Sequence, residues 1–420
     1  MATARAGVSV IDQVQAIMYG AEMGDRELER AMADELTERI AESRRTGRPL
    51  RVYAGYDPSK PDLHLGHSIT LRKLRLFQDF GHDVIFVVGT FTAVVGDASD
   101  RTSARPRRTA EEIQDAARTY AEQCYRILDR ERTTVVYNGD WLSGLTLADV
   151  VSLASHFTVQ QFLVRDNYRK RLDAGDPVGL QEFLYPLLQG YDAVHLRADV
   201  QIGATEQLFN IQAGRKLQTI FGQRPCVCIT YPILVGTDGV MRMSKSVGNY
   251  VALAAPPAEQ YGKVMSISDA TMLQWVKYVT RWTPERIVEF TRQVERGETN
   301  PMDAKKALAR EIVSMYSGEA AADEAQRHFE SVHQRRELPE QIPAVEFPGP
   351  TKIVDVLTKT GAASSRSEAR RLIAGRGVQL DEAVVEDPEH LVARTSLLRV
   401  GRRRFFTIAI ADSPPADSPP

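Results

Sequence analysis

Between residues 51 and 138, short apolar runs alternate with long amphipathic segments. This alternation restricts the fold more than any other feature of the chain. Residues 51–56, 83–89 and 133–138 have strand composition. Between them, 68–81 has helical period and ends on Gly81, and 109–130 opens with Thr109 and Glu112 at capping-box spacing. Upstream, 26–45 carries an apolar stripe at Leu28, Met32, Leu36 and Ile40, which also predicts a helix. Strands separated by helices of this length pair in parallel through right-handed crossovers. Helical patterns at about 147–194 and 205–219, and a strand at 226–230, complete a doubly wound α/β domain ending near residue 240.

The rest of the chain changes character. Residues 241–335 read as a polar loop followed by helices with no clear strand. Residues 336–350 are proline-rich and read as a linker. Residues 351–410 restart with two helices and then short strands, and 411–420 is a polar five-residue unit repeated once, expected to be disordered. The chain of 420 residues has 53 basic and 55 acidic side chains, which excludes a globally basic nucleic-acid binder. The charge is uneven, however. Residues 351–410 hold 11 basic against 7 acidic residues, net +4, while 1–350 stands at −4. That asymmetry hints at a polyanionic partner for the C-terminal segment. Three cysteines exclude a disulfide scaffold and a four-thiolate zinc site; Cys226 and Cys228, alternate residues of an apolar strand, read as a buried structural pair. The absence of an apolar leader and of any apolar run near 18 residues points to a cytoplasmic protein.

Two motifs carry chemistry. The first runs from the strand at 51–56 into a helix start, with His64 and His67 flanking Gly66. Backbone N–H groups and the helix dipole there favour a polyphosphate, and imidazole donors can meet charge building on a phosphate. Gly66 leaves room for a nucleotide to approach the backbone. Taken alone, the same residues read equally as two surface histidines. The second, residues 241–246, follows the turn Gly236–Gly239 and centres on Arg242 and Lys245, cations suited to the β- and γ-phosphates of a nucleotide. Alone it also reads as a solvated loop. On the helix near 183–192, Tyr185, Gln189 and Asp192 share one face at i, i+4 and i+7. In the C-terminal segment Arg366, Arg370 and Arg371 form a basic helix before a glycine turn, and 402–404 are three arginines. These suit the phosphates of a folded RNA, or form a solvated basic face.

An HxGH motif early in a parallel α/β domain with MSKS at its end resembles the class I aminoacyl-tRNA synthetases. The segments 87–106, 183–192 and 201–211 resemble, in order, those of bacterial tyrosyl-tRNA synthetases, and 351–410 is similar to the S4 RNA-binding module. The resemblance implies a Rossmann-like catalytic domain, an α-helical anticodon-side domain and a small α+β S4-like domain. It implies that L-tyrosine attacks the α-phosphate of ATP, giving tyrosyl-adenylate and pyrophosphate, and that the tyrosine then passes to the 3′ end of tRNA(Tyr). Mg²⁺ would ride on the phosphates, no protein metal site is needed, and the protein would be a homodimer.

The resemblance also assigns residues. Tyr53 and Asp192 would grip the substrate phenol, and Asp97, Tyr185 and Gln189 its ammonium group. Asp57 and Gln207 would surround the amino acid and adenylate, with Asn138 and Asp140 supporting the pocket. Gly55, Gly66, Thr70, Gly203, Glu206 and Met243 would line the nucleotide. His64, His67, Arg242 and Lys245, with Arg101 and Arg105 from a neighbouring loop, would act on the phosphates. Arg366, Arg370 and Arg371 would hold RNA. Three positions depart from the family pattern: Ala204 for a glycine, Glu206 for an aspartate and Arg242 for a lysine. Two other readings stay open at this point. One is a paralogue activating a modified or different aromatic amino acid, and the other is a non-catalytic RNA-binding protein on the same scaffold.

Overall fold

The central sheet pairs five strands in parallel: β1 (Arg51–Tyr56), β2 (Asp83–Val88), β3 (Thr133–Tyr137), β4 (Val200–Ala204) and β5 (Val227–Tyr231), in the order β3-β2-β1-β4-β5. The chain builds outward from β1 to β3, then returns to the other side of β1. This reversal opens a crevice at the carboxyl ends of β1 and β4, where open α/β sheets bind ligands. The computed structural model describes residues 7–58, 61–97, 99, 109–333, 342–381, 383–401 and 404–410.

Helices cover the sheet or pack on those that do: α1 (Val10–Met18), α2 (Arg26–Thr46), α3 (Leu65–Asp79), α4 (Thr92–Val95), α5 (Ala110–Cys124), α6 (Gly139–Leu142), α7 (Leu147–Ser155), α8 (Val159–Leu163), α9 (Asp166–Asp173), α10 (Leu180–Leu196) and α11 (Leu208–Ile220). α5 has the expected capping box, with Thr109 and Glu112 each accepting the other's backbone N–H. It stops at Cys124, however, short of the predicted 130. The buried amide of Gln78 accepts from the Asp129 N–H at 3.0 Å and donates to the Arg132 carbonyl at 2.9 Å. The Asp129 N–H is a group that a longer helix would have paired internally.

In α10, Pro186 leaves the Glu182 carbonyl without its helical donor, and the Tyr168 hydroxyl supplies one at 3.0 Å. The helix therefore carries its polar face unbroken past the proline. A Cβ at Gly190 would lie 3.0 Å from the backbone nitrogen of Gly214, so α10 and α11 approach closely only because both positions are glycine.

Helices α12 (Pro257–Met265), α13 (Asp269–Val279), α14 (Pro284–Glu295), α15 (Pro301–Ser317) and α16 (Glu319–His333) follow the loop. They do not form the separate domain expected for 241–335. Trp275, Leu308 and Ile312 are buried in the same apolar cluster as Ile69, Leu74 and Phe86, and the first compact unit runs to Phe329. Burying these faces together removes from water a stripe that isolated helices would expose. Cys124, Cys226 and Cys228 are all buried free thiols.

The second unit starts at Glu330. Its sheet has the order β6-β12-β11-β8-β9, formed by β6 (Ala344–Phe347), β8 (Val378–Leu380), β9 (Ala383–Val384), β11 (Ser396–Val400) and β12 (Arg404–Ile410). β7 (Thr351–Lys352) and β10 (Leu391–Val392) form a separate pair. Helices α17 (Ile353–Lys359) and α18 (Arg366–Ala374) pack on a core that includes Val356, Ile373, Val378, Leu398 and Ile408. The expected linker at 336–350 is thus corrected in part: Ala344–Phe347 is a strand parallel to β12, with Phe347 buried. Its prolines bracket the strand, and as an edge strand it needs only one hydrogen-bonded neighbour. The tail 411–420 lies outside the described residues.

Candidate active site

A cavity of about 290 Å³ opens at the carboxyl ends of β1 and β4. Its wall brings together Gly55, Asp57, His64, Gly66, His67, Thr70, Asp97, Asn138, Tyr185, Gln189, Asp192, Gly203, Glu206, Gln207, Arg242, Met243 and Lys245. The first and last of these residues are 190 positions apart in sequence. Tyr53 stands behind the wall, fully buried on β1. Arg101 and Arg105 lie outside the described residues, Asp140 is exposed beside a different depression, and Arg366, Arg370 and Arg371 sit exposed on α18 of the second unit.

The helix start is built from the histidines themselves. His64 is the N-cap of α3: its Nδ1 accepts from the Gly66 N–H at 3.1 Å, while His67 Nδ1 accepts from the His64 N–H at 3.1 Å. The two rings lie 3.9 Å apart. Burial, helped by Lys245 and Arg242, holds His64 down to about 3, and burial with its neighbours His64 and Lys245 holds His67 well below the usual imidazole range. Both rings are therefore neutral at pH 7. With Nδ1 accepting, each proton sits on Nε2, which makes each ring a donor. Gly66 is required here for a reason beyond ligand approach. A Cβ would fall 2.9 Å from the His64 ring.

The floor is a carboxylate network. Asp57 accepts from Thr92 Oγ1 at 2.8 Å and from the Tyr185 hydroxyl at 3.0 Å. A Cβ at Gly89 would sit 2.0 Å from the same carboxylate, so the turn after β2 must be glycine. Asp97 accepts from Gln207 Nε2 at 2.6 Å, and the buried Asn210 amide joins Gln207 and Gln189 at 2.9 and 3.1 Å.

Asp192 accepts from Trp141 Nε1 at 2.9 Å and Asn138 Nδ2 at 3.3 Å. Burial outweighs those two bonds, and with Asp57 nearby its carboxyl is pushed up to about 8. Tyr53 feels burial and the same Asp192, which raise its phenol. The Tyr53 hydroxyl is buried with no hydrogen-bond partner among the described residues. Asp192 lines the cavity and the Tyr53 phenol stands behind it, near enough to feel that carboxyl; a donor and an acceptor so close together suit recognition of a hydroxyl on a ligand.

The Asp192 shift has a stability consequence. The folded chain keeps this proton to about pH 8, whereas an unfolded aspartate gives it up near 4. Unfolding then releases a proton, and this group's contribution to stability falls as pH rises from about 4 to 8. Asp192→Asn removes the titration. In urea unfolding, the stability of that variant relative to wild type should rise between pH 5 and pH 8; a constant difference would contradict the shift.

The loop 241–246 is braced rather than solvated. Asn249 is buried: its Oδ1 accepts from the Ser244 N–H at 2.8 Å, and its Nδ2 donates to the Arg242 carbonyl at 3.0 Å and to Asp238 at 2.7 Å. Met243 donates its N–H to the Leu234 carbonyl at 2.7 Å. Arg242 reaches Glu206 at 3.2 Å, so two of the residues that depart from the family pattern meet each other across the cleft. Burial, then Asp97, raise the Glu206 carboxyl to about 8. Lys245 is buried beside the HxGH turn, donating to the Asp62 carbonyl at 2.8 Å. Ala204 closes β4 next to Gly203, where a Cβ would meet Ile211 at 2.6 Å.

Sequence reasoning missed Gly89, Thr92, Trp141, Asn210 and Asn249. Trp141 follows Asn138 by three residues and Asn210 follows Gln207 by three, one helical turn in each case. That spacing was the available signal. Gly89 and Thr92 gave none, because their importance comes from Asp57, which approaches from another strand. Among the described residues, no group of three or more His, Cys, Asp and Glu side chains could hold a metal ion, and no helix is long and apolar enough to cross a membrane.

Residues 45–334 match the model of the class I tRNA synthetases (W and Y), and 351–396 match that of the S4 domain. The tyrosine–tRNA ligase of Thermotoga maritima is 47% identical over 90% of this chain and 93% of its own length. That of Carboxydothermus hydrogenoformans is 43% identical over 89% of the chain and 93% of its own. Among solved structures, the tyrosyl-tRNA synthetase of Archaeoglobus fulgidus complexed with L-tyrosine has a TM-score of 0.58 at 24% identity, covering 76% of this chain and 100% of that one. The C-terminally truncated mitochondrial tyrosyl-tRNA synthetase of Aspergillus nidulans reaches 0.61 at 21% identity, over 77% of this chain and 94% of that one. At these identities the two structures speak for the fold alone.

Proposed function

We infer the activity from one premise: the chain belongs to the class I tRNA synthetases (W and Y). We propose that it is a tyrosine–tRNA ligase, using ATP to activate L-tyrosine and passing it to tRNA(Tyr). The observation that carries the substrate choice is the buried pair of Tyr53 and Asp192. A tryptophan or phenylalanine ring would leave the Tyr53 hydroxyl unpaired.

The chemistry needs no protein nucleophile. The tyrosine carboxylate attacks the α-phosphorus in line, one P–O bond forms, and the bond to pyrophosphate breaks. Asp97, Tyr185 and Gln189 orient the ammonium group, with Asp57 and Gln207 beside them and Asn138 fixing Asp192. Gly55, Gly66, Thr70, Gly203, Glu206 and Met243 receive the nucleotide. Thr70 Oγ1 already pairs with the Tyr56 hydroxyl at 2.8 Å, so a ribose contact there would share that oxygen. The two neutral imidazoles donate to the α-phosphate as charge builds. Arg242 and Lys245 neutralise the leaving pyrophosphate, a role the family resemblance extends to Arg101 and Arg105. Mg²⁺, held mainly by phosphate oxygens, would supply further charge neutralisation. In the second step the terminal adenosine of the tRNA attacks the adenylate carbonyl and AMP leaves.

We assign RNA contact to Arg366, Arg370 and Arg371 of the S4 unit. Arg366 shares its charge with Asp355 at 2.7 Å, which leaves the other two as the stronger phosphate donors. We also propose a homodimer in the cytoplasm. Helices α7 to α10 and the loops between them leave Leu147, Val151, Val159, Val164 and Leu180 exposed, and a second copy would cover them. Sedimentation of the full chain at twice the monomer mass supports that arrangement, and a monomer at micromolar concentration contradicts it.

The test of the ligase reading is charging of a tRNA(Tyr) transcript with labelled tyrosine. Charging that needs ATP and an intact tRNA 3′ end supports it. RNA binding without charging would favour a non-catalytic RNA-binding protein instead.

A further inference from the structure

Tyr120 belongs to none of the motifs above, yet it links two of them. It lies on α5, fully buried, and its hydroxyl accepts from Lys245 Nζ at 2.5 Å while donating to the Asp57 carbonyl at 3.4 Å. The ammonium sits 5.0 Å from the centre of the Tyr120 ring. Asp62 supplies a second acceptor for Lys245, its carbonyl at 2.8 Å.

The neighbours of Tyr120 fix the other half of the arrangement. Thr119 Oγ1 and Gln123 Nε2 both donate to the Pro61 carbonyl at 2.6 Å, and Gln123 Oε1 accepts from the Leu63 N–H at 2.7 Å. One turn of α5 therefore holds the segment leading into His64 and, through Tyr120, the cation of the MSKS loop. The segment leaving the loop closes the circuit. Leu253 donates its N–H to the Leu63 carbonyl at 2.8 Å, and Leu65 donates to the Val251 carbonyl at 3.0 Å.

We propose that Tyr120 is a positioning residue whose hydroxyl and ring, with the Asp62 carbonyl, hold the Lys245 ammonium beside the HxGH turn. Four rotatable bonds separate that ammonium from its backbone, and a free lysine would sample many positions. Seating it before ATP arrives lowers the ordering cost at the moment charge develops. A phenol can do this because it accepts from an ammonium while remaining neutral. A carboxylate in the same place would form a tight ion pair that competes with phosphate.

The inference rests on the reading of Lys245 as a pyrophosphate ligand, so its test has two readouts. The first is a double-mutant cycle in tyrosine-dependent pyrophosphate exchange, with Tyr120→Phe made in wild type and in Lys245→Ala. In wild type the substitution should lower kcat about tenfold and leave the KM for tyrosine unchanged, the loss of one hydrogen bond to a charged group. In Lys245→Ala it should cost less than twofold. Any general disturbance of α5 appears in both backgrounds and cancels. Equal losses in the two backgrounds, or no loss in wild type, would overturn the proposal.

The second readout needs no activity. Limited trypsin cleavage after Lys245, without substrates, should be several-fold faster in Tyr120→Phe. Unchanged cleavage would overturn the seat whatever the exchange assay gives. Exchange absent with every amino acid in wild type, with cleavage accelerated in the variant, would instead remove the activity reading and leave the seat standing.

Discussion

Replacing Lys245 by alanine slows tyrosine-dependent pyrophosphate exchange roughly 100-fold, and the loss falls on kcat rather than on the KM for tyrosine. Lys245 is a buried cation held against the Asp62 carbonyl, and its neighbours His64 and His67 are neutral. It therefore carries much of the positive charge fixed next to the HxGH turn, and that charge matters most when negative charge is being redistributed onto pyrophosphate. The amino acid is received elsewhere, by Asp97 and by the polar face of α10, so its affinity should survive. A loss confined to the KM for tyrosine, or a fall in kcat of less than threefold, would contradict this division of labour.

The second large effect concerns selectivity. Asp192→Ala collapses the preference for tyrosine over phenylalanine by roughly 10- to 100-fold. Phenylalanine leaves two buried groups of the slot without a partner, at about 1–3 kcal/mol each, and the substitution abolishes one of those penalties. It also removes the acceptor of Trp141 Nε1 and Asn138 Nδ2, which lowers activity in general. Comparing kcat/KM for the two amino acids cancels that general loss. An unchanged preference would mean that Asp192 does not read the hydroxyl.

The same slot shows what a single sequence can and cannot reveal. Tyr185, Gln189 and Asp192 were legible because helical spacing puts them on one face. That Tyr53 lies close to Asp192 was legible only through the family resemblance, since a strand residue's direction depends on pairing that sequence does not display. The bond that Trp141 donates to Asp192 across 51 positions was hidden for the same reason, and only its place one turn after Asn138 marked it. Glycines tell a similar story. Gly66 was noticed inside a motif, while Gly89, in an ordinary strand-to-loop turn, is constrained just as tightly by Asp57.

Strands β1, β2 and β3 were readable as apolar runs because they are flanked by long amphipathic helices. β4 was not: its five residues include Gln201 and Gly203, and its parallel pairing to β1 and β5 is a tertiary event. The loop at 241–246 read as open because its composition is polar. Its order comes from Asn249 and from Glu206 and Tyr120, partners supplied by the loop's own far end and by the catalytic half of the chain. The helices after it looked like a separate domain because their pattern is purely helical. They share the core of the sheet because Trp275 and Leu308 need apolar neighbours that only the α/β half provides.

Exchange of labelled pyrophosphate into ATP by the full chain tests the central claim most directly, with tyrosine, phenylalanine, tryptophan and 3-substituted tyrosines compared at equal concentration. Exchange that depends on tyrosine and falls to background with phenylalanine and tryptophan is the expected result. Exchange supported only by another amino acid would contradict the assignment of Tyr53 and Asp192 to the tyrosine phenol, and exchange with none would contradict the enzyme reading altogether.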